Sequence, residues 1–300
     1  MSRLAFEGLS YTQMMSMADG LLRIGDTRLA GQIYEHAARN ATGPAIDLKV
    51  RQGLVDGSGT RVTMLLNVLN AVESCRDSAF VSAGLATWDK ILPFFMDKRF
   101  AELAKEHAHL LPLPNWHWNL QTVVWAVQQA RDVPGDFVEL GVFRGHTTRF
   151  VADYLGFDAW AKTWWLYDTF EGIPKDQLDE GWDNVNQHNY VGTYSYDEVR
   201  DRFAGYGNIK VIQGRVPEIL AEGAPERIAF MHIDLNNMTA EIAALDALFD
   251  RVSPGGIIVF DDYCWVAAAR QHLAEKAWFA ARGLQILPLP TGQGVFVKSA

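Results

Sequence analysis

Cysteine is nearly absent, with only Cys75 and Cys264 in 300 residues. Two thiols exclude a disulfide framework and a four-ligand zinc site built on cysteine, and they predict a reducing, cytoplasmic setting. No run approaches the ~20 uninterrupted apolar residues of a membrane span. The opening Met1-Ser-Arg-Leu-Ala-Phe-Glu-Gly has no signal-type apolar stretch, so a soluble protein without a membrane partner is expected. Positive charge is scarce as well: 27 Lys+Arg face 36 Asp+Glu, for a net charge of -9. Without a basic cluster, a sequence-independent nucleic-acid surface is excluded and a small-molecule substrate is favoured. What is abundant is apolar surface. At 49% hydrophobic and 21% charged, the chain can build one large α/β domain of roughly 150–200 residues and a smaller companion.

The front of the chain reads as helical. Met14, Met17, Leu21 and Leu22, then Leu29, Ile33, Tyr34 and Ala37, then Ile46, Leu48, Val50 and Leu54 recur at helical spacing, punctuated by Gly25-Asp26 and Thr42-Gly43-Pro44. Gly20 to Tyr34 resembles a single tetratricopeptide-like hairpin. Such a unit cannot bury its own face, and about three are needed for a stable array. Packing on the main domain or on a second copy of the chain is expected, with peptide binding as the alternative. After the flexible Asp56-Gly-Ser-Gly-Thr, further helices are predicted over Arg61–Phe80 and Ser82–His109. Leu110-Leu-Pro-Leu-Pro-Asn reads as a boundary, dividing the chain into a helical region 1–111 and a main domain 112–300.

From Trp116 onward helices and strands alternate, the pattern of a parallel sheet covered on both faces. Strands are predicted at Asp136–Leu140, Thr163–Tyr167, Ile209–Gln213, Ile228–Ile233, Gly256–Phe260, Leu284–Leu289 and Gly294–Lys298. The last two are joined by a hairpin-type turn that makes the final strand antiparallel. The first strand ends in Glu139 and opens into Gly141-Val142-Phe-Arg144-Gly145-His-Thr147, a glycine turn entering a helix. The spacing Glu-x-Gly-x-x-x-Gly lacks the third glycine of the dinucleotide fingerprint and puts a carboxylate where a pyrophosphate would otherwise sit, which disfavours a nucleotide-dependent oxidoreductase. A carboxylate there suits a cofactor with an adenosine end and a cationic amino-acid end, S-adenosylmethionine. Glu139, Gly141, Val142, Arg144, Gly145 and Thr147 are therefore candidate cofactor contacts.

Ligands of open α/β sheets bind beyond the carboxyl ends of the strands. Asp168 ends the second strand, where it can either accept hydrogen bonds from ribose hydroxyls or cap the next helix. Gln213-Gly214-Arg215 follows the third strand and is placed to meet an adenine edge. Asp234 ends the fourth strand, and Asp261-Asp262 end the fifth. Converging without a basic partner, these three carboxylates would repel one another, and a divalent cation relieves that repulsion. All-oxygen ligation points to Mg²⁺ or Mn²⁺, which could bind substrate hydroxyls and lower the pKa of one. Helix capping by Asp261 or Asp262 is the plainer alternative.

These residues resemble the macrocin O-methyltransferases, metal-dependent enzymes that methylate sugar hydroxyls on macrolide antibiotics and related metabolites. The matching blocks are Gly135-Asp-Phe-Val-Glu-Leu-Gly-Val-Phe-Arg-Gly, Tyr167-Asp-Thr-Phe-Glu-Gly-Ile-Pro, Ile233-Asp-Leu-Asn, and Leu248-Phe-Asp-Arg-Val-Ser-Pro-Gly-Gly-Ile-Ile-Val-Phe-Asp-Asp-Tyr. The resemblance spans roughly Trp116 to Lys298. It implies a Rossmann-like seven-stranded S-adenosylmethionine methyltransferase fold with a helical N-terminal extension. It also implies metal ligation by Asp234, Asp261 and Asp262, with Asp234 doubling as proton acceptor and cofactor neighbour. Where the family reads Asp-x-Asp-x-Tyr, this chain has Asp234-Leu-Asn236-Asn237-Met238, losing a carboxylate and an aromatic ring.

Asp179 to Tyr196 is too long for a simple connection. Its Trp182, His188, Tyr190, Tyr194 and Tyr196 predict either a lid whose rings stack on a sugar or a solvated insertion, with His188 as a second candidate base. The function read from the sequence is O-methylation of a sugar-containing metabolite or polysaccharide precursor by a cytoplasmic homo-oligomer. The alternative is a catalytically silent adaptor whose helical front binds a partner protein.

Overall fold

The computed structural model describes residues 11–23, 26–40, 80–82, 85–87, 90–110, 116–179 and 185–299. Contacts divide the chain into two compact units. The described part of the first is a helical hairpin, α1 (Tyr11–Arg23) and α2 (Thr27–Asn40). Asp26 caps α2 by accepting the Leu29 amide at 3.0 Å. Met14, Ala18, Ala30, Ile33 and Tyr34 are buried, and Tyr34 donates to Asp19 at 2.6 Å. The helix expected over Ile46–Leu54, and the helix expected over Arg61–Phe80 as far as Ala79, lie outside the described residues.

The second unit starts at Phe80 rather than at the expected boundary after residue 111. Phe80–Ser82 (β1) and Leu85–Thr87 (β2) form an antiparallel pair where a helix was expected, because runs this short carry no usable period. Helices do follow, α3 (Pro93–Met96) and α4 (Lys98–Glu106), with Asp97 capping α4 through the Phe100 amide. They belong with the sheet for a physical reason. Phe94 meets Trp118 at 4.9 Å and Phe100 meets Phe150 at 4.7 Å between ring centroids, and Tyr154 donates to Asp97 at 2.6 Å.

The remaining elements are α5 (His117–Gln129), β3 (Asp136–Leu140), α6 (His146–Leu155), β4 (Trp164–Asp168), α7 (Tyr196–Arg202), β5 (Ile209–Gln213), α8 (Glu218–Glu222), β6 (Ile228–Ile233), α9 (Met238–Leu248), β7 (Val252–Phe260), α10 (Ala269–Ala280), β8 (Leu287–Pro288) and β9 (Gly294–Val297). The strands form one seven-stranded sheet in the order β5-β4-β3-β6-β7-β9-β8. The first five are parallel, and β9 runs antiparallel to β7, as the sequence predicts. Alternate residues of β3 serve opposite faces: Phe137 packs in one core with Trp164 and Phe230, Val138 in the other with Met231 and Ile258. Both faces are covered, which is why all six residues of β6 are buried. The strand order reverses at β3, and such a switch point opens a crevice at the carboxyl ends. Among the described residues no helix is long and apolar enough to cross a membrane.

Two carboxyl groups are enclosed where α9 meets α10. Glu241 accepts the Leu235 amide at 3.1 Å, and neither Glu241 nor Glu275 has measurable exposure. Burial raises both, Glu241 also through Glu275 beside it, and Glu275 reaches about 7. Unfolded, each titrates near ~4.3. The folded state therefore holds more protons above the unfolded value, and stability is full below that window and falls as pH rises through it. Glu275→Gln removes one such titration. Its melting temperature should drop less than that of the wild type between about pH 5 and about pH 8; parallel drops in a thermal melt would contradict the assignment.

Candidate active site

A cavity of about 390 Å³ opens at the carboxyl ends of β3, β4, β6 and β7, within the size range of small-ligand sites. Its glycine turn is fixed from two sides. Gly141 has φ +84°, and a Cβ there would lie 1.8 Å from the Asp234 carbonyl oxygen, so the turn nests directly on the chain leaving β6. Asp168 clamps it from β4: one carboxylate oxygen accepts the amides of Val142 at 2.7 Å and Phe143 at 2.8 Å. The other accepts Phe170 N at 2.7 Å and the Tyr194 hydroxyl at 3.3 Å. Burial raises the Asp168 pKa while these donors oppose the rise. The expected ribose acceptor is thus already engaged in four internal hydrogen bonds, and its main structural work is to hold the turn.

Behind the turn runs a buried chain of charge. Glu139 and His232 are cross-strand partners in the β3–β6 register, and Glu139 Oε1 meets His232 Nδ1 at 2.9 Å while Thr148 donates to Glu139 Oε2. His232 Nε2 lies 3.7 Å from Asp261 Oδ1. Burial alone would depress His232, yet Asp261 and Glu139 on either side hold its pKa well above the ordinary histidine range. The imidazolium therefore neutralises part of the acidic charge. Gln293, fully buried on the hairpin before β9, donates to Asp261 Oδ1 at 2.9 Å and orients that carboxylate.

Asp234, Asp261 and Asp262 all line the cavity, as the neighbouring positions of β6 and β7 require. Burial and then the Asp261 and Asp262 charges raise Asp234 well above the carboxylate range; burial and then Asp261 do the same to Asp262. Asn236 takes φ +57° and donates to Asp234 Oδ1 at 2.8 Å. Asparagine tolerates that left-handed backbone, and its amide steadies Asp234 where a carboxylate would add repulsion.

Of the residues singled out in the sequence, Glu139, Gly141, Val142, Thr147, Asp168, Gly214, Asp234, Asp261 and Asp262 line this cavity. Five expected contacts do not. Arg144 turns away, its guanidinium over the Phe143 ring and bonded to the Thr193 carbonyl. Gly145 instead starts α6 in the left-handed region, against Phe203. Gln213 bonds the Thr169 carbonyl, and Arg215 is drawn outward into an ion pair with Asp176 at 2.5 Å. His188 is exposed and outside the lining, so the structure does not place it as a base. Trp182 lies outside the described residues. Tyr190 and Tyr194 of the expected lid do reach the cavity, packed on Phe143 at 5.5 and 4.8 Å. Sequence reasoning missed His146, His232 and Gln293. The signal for His232 was its place two residues before Asp234, on the same strand face.

The family model for macrocin O-methyltransferase (TylF) matches residues 117–285, more than half of the chain. The chain belongs to this family. The expected class, an S-adenosylmethionine-dependent O-methyltransferase, is the class of that family. Among curated proteins, the chain is similar to the 8-demethyl-8-(2,3-dimethoxy-alpha-L-rhamnosyl)-tetracenomycin-C 4'-O-methyltransferase of Streptomyces olivaceus, 29% identical over 57% of this chain and 67% of the relative. It is also similar to the mycinamicin III 3''-O-methyltransferase of Micromonospora griseorubida, 30% identical over 48% of this chain and 60% of the relative. The chain thus spans about three fifths to two thirds of these relatives. The solved structure of the O-methyltransferase NovP matches at 23% identity with a TM-score of 0.53, covering 61% of this chain and 80% of that one; this likeness shows the fold.

The cavity suits the family's cofactor in its glycine turn and its acid-lined floor. For a metal the observations pull in two directions. Among the described residues no group of three or more His, Cys, Asp or Glu is gathered closely enough to hold one. Asp234, Asp261 and Asp262 nevertheless offer carboxylate oxygens in one cavity, the donor chemistry of a hard divalent cation.

Proposed function

We propose that this protein methylates a hydroxyl of a sugar-containing metabolite or polysaccharide precursor, with Asp234, Asp261 and Asp262 holding Mg²⁺ or Mn²⁺. The observation that carries this reading is the meeting of the Asp168-clamped glycine turn and the three carboxylates in one cavity. The two relatives named for methylating glycosylated natural products support a sugar hydroxyl as acceptor.

S-Adenosylmethionine supplies an electrophilic methyl group, and a bound cation would acidify the attacking hydroxyl. The chain's own residues do the rest. The 141–143 turn, its amides held by Tyr167 and Asp168, and the wall formed by Gly214 shape the cofactor's place and exclude water. Asp234 accepts the hydroxyl proton as general base. Asn236 and Gln293 keep Asp234 and Asp261 in place. The retention of Glu139, Asp168, Asp234, Asp261 and Asp262 argues against the silent adaptor. The same reading makes the protein a cytoplasmic homo-oligomer, in keeping with its low cysteine content and the apolar face of its front hairpin.

Incubation with methyl-labelled S-adenosylmethionine and a panel of rhamnosides, glucosides and catechol, read by mass spectrometry, tests the reading. Label should appear on a glycoside oxygen. Label on catechol alone would refute the sugar acceptor while leaving O-methylation standing, and label on none of them would refute both.

A further inference from the structure

The first residue of α6 is a histidine that none of the chemistry above uses. His146 is 4% exposed, and neither ring nitrogen has a hydrogen-bond partner among the described residues. Leaving a buried polar group unpaired is costly, a cost that a bound molecule removes. The ring lies alongside Phe150, with centroids 6.4 Å apart, and forms part of the cavity wall together with Trp116, Tyr190, Asp261 and Asp262.

The position and charge state of the ring indicate what it would bind. The ring shares the cavity lining with Asp261 and Asp262, and the Asp261 charge reaches it. Burial, then the His107 and His109 imidazoles, depress its pKa to about 3, so the ring is neutral near pH 7, with one nitrogen donating and the other accepting. A carboxylate or phosphate calls for donors only. A hydroxyl is both donor and acceptor, and it matches this ring.

We propose that His146 binds a second hydroxyl of the acceptor sugar and thereby determines which hydroxyl reaches Asp234. This specificity-determining role rests on the sugar-methylation reading. It also accounts for why the fold tolerates an unpaired imidazole beside the reactive carboxylates: the acceptor completes its hydrogen bonds.

The test uses the full chain with Mg²⁺ and methyl α-L-rhamnopyranoside and methyl β-D-glucopyranoside as probes. In His146→Phe, which keeps a flat ring but no polar atom, KM for the methylated glycoside should rise about tenfold or more, the equivalent of one lost hydrogen bond of ~1.4 kcal/mol. The product should become a mixture of O-methyl isomers, while affinity for S-adenosylhomocysteine by calorimetry stays unchanged. His146→Gln, which restores a donor and an acceptor, should recover most of the KM and the single product. In the unsubstituted enzyme saturated with S-adenosylhomocysteine, the ring-nitrogen NMR signals of His146 should move when the glycoside is added, which covers the case of a misfolded variant. Unchanged KM and product pattern in His146→Phe, or still ring signals on adding a glycoside the enzyme methylates, would overturn the inference alone. Equal weakening of S-adenosylhomocysteine would also overturn it, by assigning His146 to the cofactor. A wild type that methylates neither glycoside while methylating catechol would overturn the sugar reading and this inference with it.

Discussion

Gly141→Val should abolish binding of S-adenosylhomocysteine. A non-glycine residue held at a left-handed backbone position ordinarily costs about 1–3 kcal/mol. Here the obstacle is solid. A Cβ at Gly141 would sit 1.8 Å from the Asp234 carbonyl oxygen and 2.5 Å from its carbonyl carbon, and neither is a flexible side-chain end. Either the turn or the end of β6 must move, and both line the cavity. The cost belongs with the exceptional single-site losses of several kcal/mol. Calorimetry should show no S-adenosylhomocysteine binding where the wild type saturates, and circular dichroism should show the sheet retained or the protein unfolded. A variant that binds within about tenfold of the wild type would mean that the turn is not packed on Asp234 as described.

Asp234→Asn should slow methyl transfer by about 10²–10⁴, the usual worth of a positioned general base. The substitution keeps the size of the side chain and removes its capacity to take a proton. Asp261→Asn should act in the same direction by removing a proposed metal ligand and by disturbing the Gln293 and His232 contacts. Neither should alter S-adenosylhomocysteine affinity much, because the turn is clamped by Asp168 and packs on the Asp234 backbone, not on the substituted carboxylates. Single-turnover rates decide this: either variant turning over within about tenfold of the wild type would remove that residue from the mechanism.

The sheet was legible in the sequence because β3, β4, β6 and β7 are buried on both faces and read as apolar runs ending in acids. The reading of strand ends located Asp234, Asp261 and Asp262 without reference to the fold's details. It failed where a side chain's direction is settled by a distant partner. Arg144 and Arg215 flank the right turns, but Thr193 and Asp176 draw them away. Asp168 stands at the expected strand end, yet its carboxylate is filled by backbone amides that only the folded turn brings near. Gln293 reaches Asp261 across 32 residues through the antiparallel β7–β9 pairing, and no local pattern marks it. The hairpin at Phe80–Thr87 was missed because three-residue strands leave no period to read.

On the proposed function, one cavity has two separable ends, a glycine turn that would hold the cofactor and a carboxylate trio that would serve the acceptor through a divalent cation. Labelled-methyl transfer to the accepted glycoside, followed before and after EDTA and again after adding Mg²⁺, tests it most directly. The account predicts that chelation stops transfer, that Mg²⁺ restores it, and that S-adenosylhomocysteine still binds in EDTA with nearly the same affinity. Transfer that continues undiminished in EDTA would contradict the account, leaving Asp234 to act as a base without a metal.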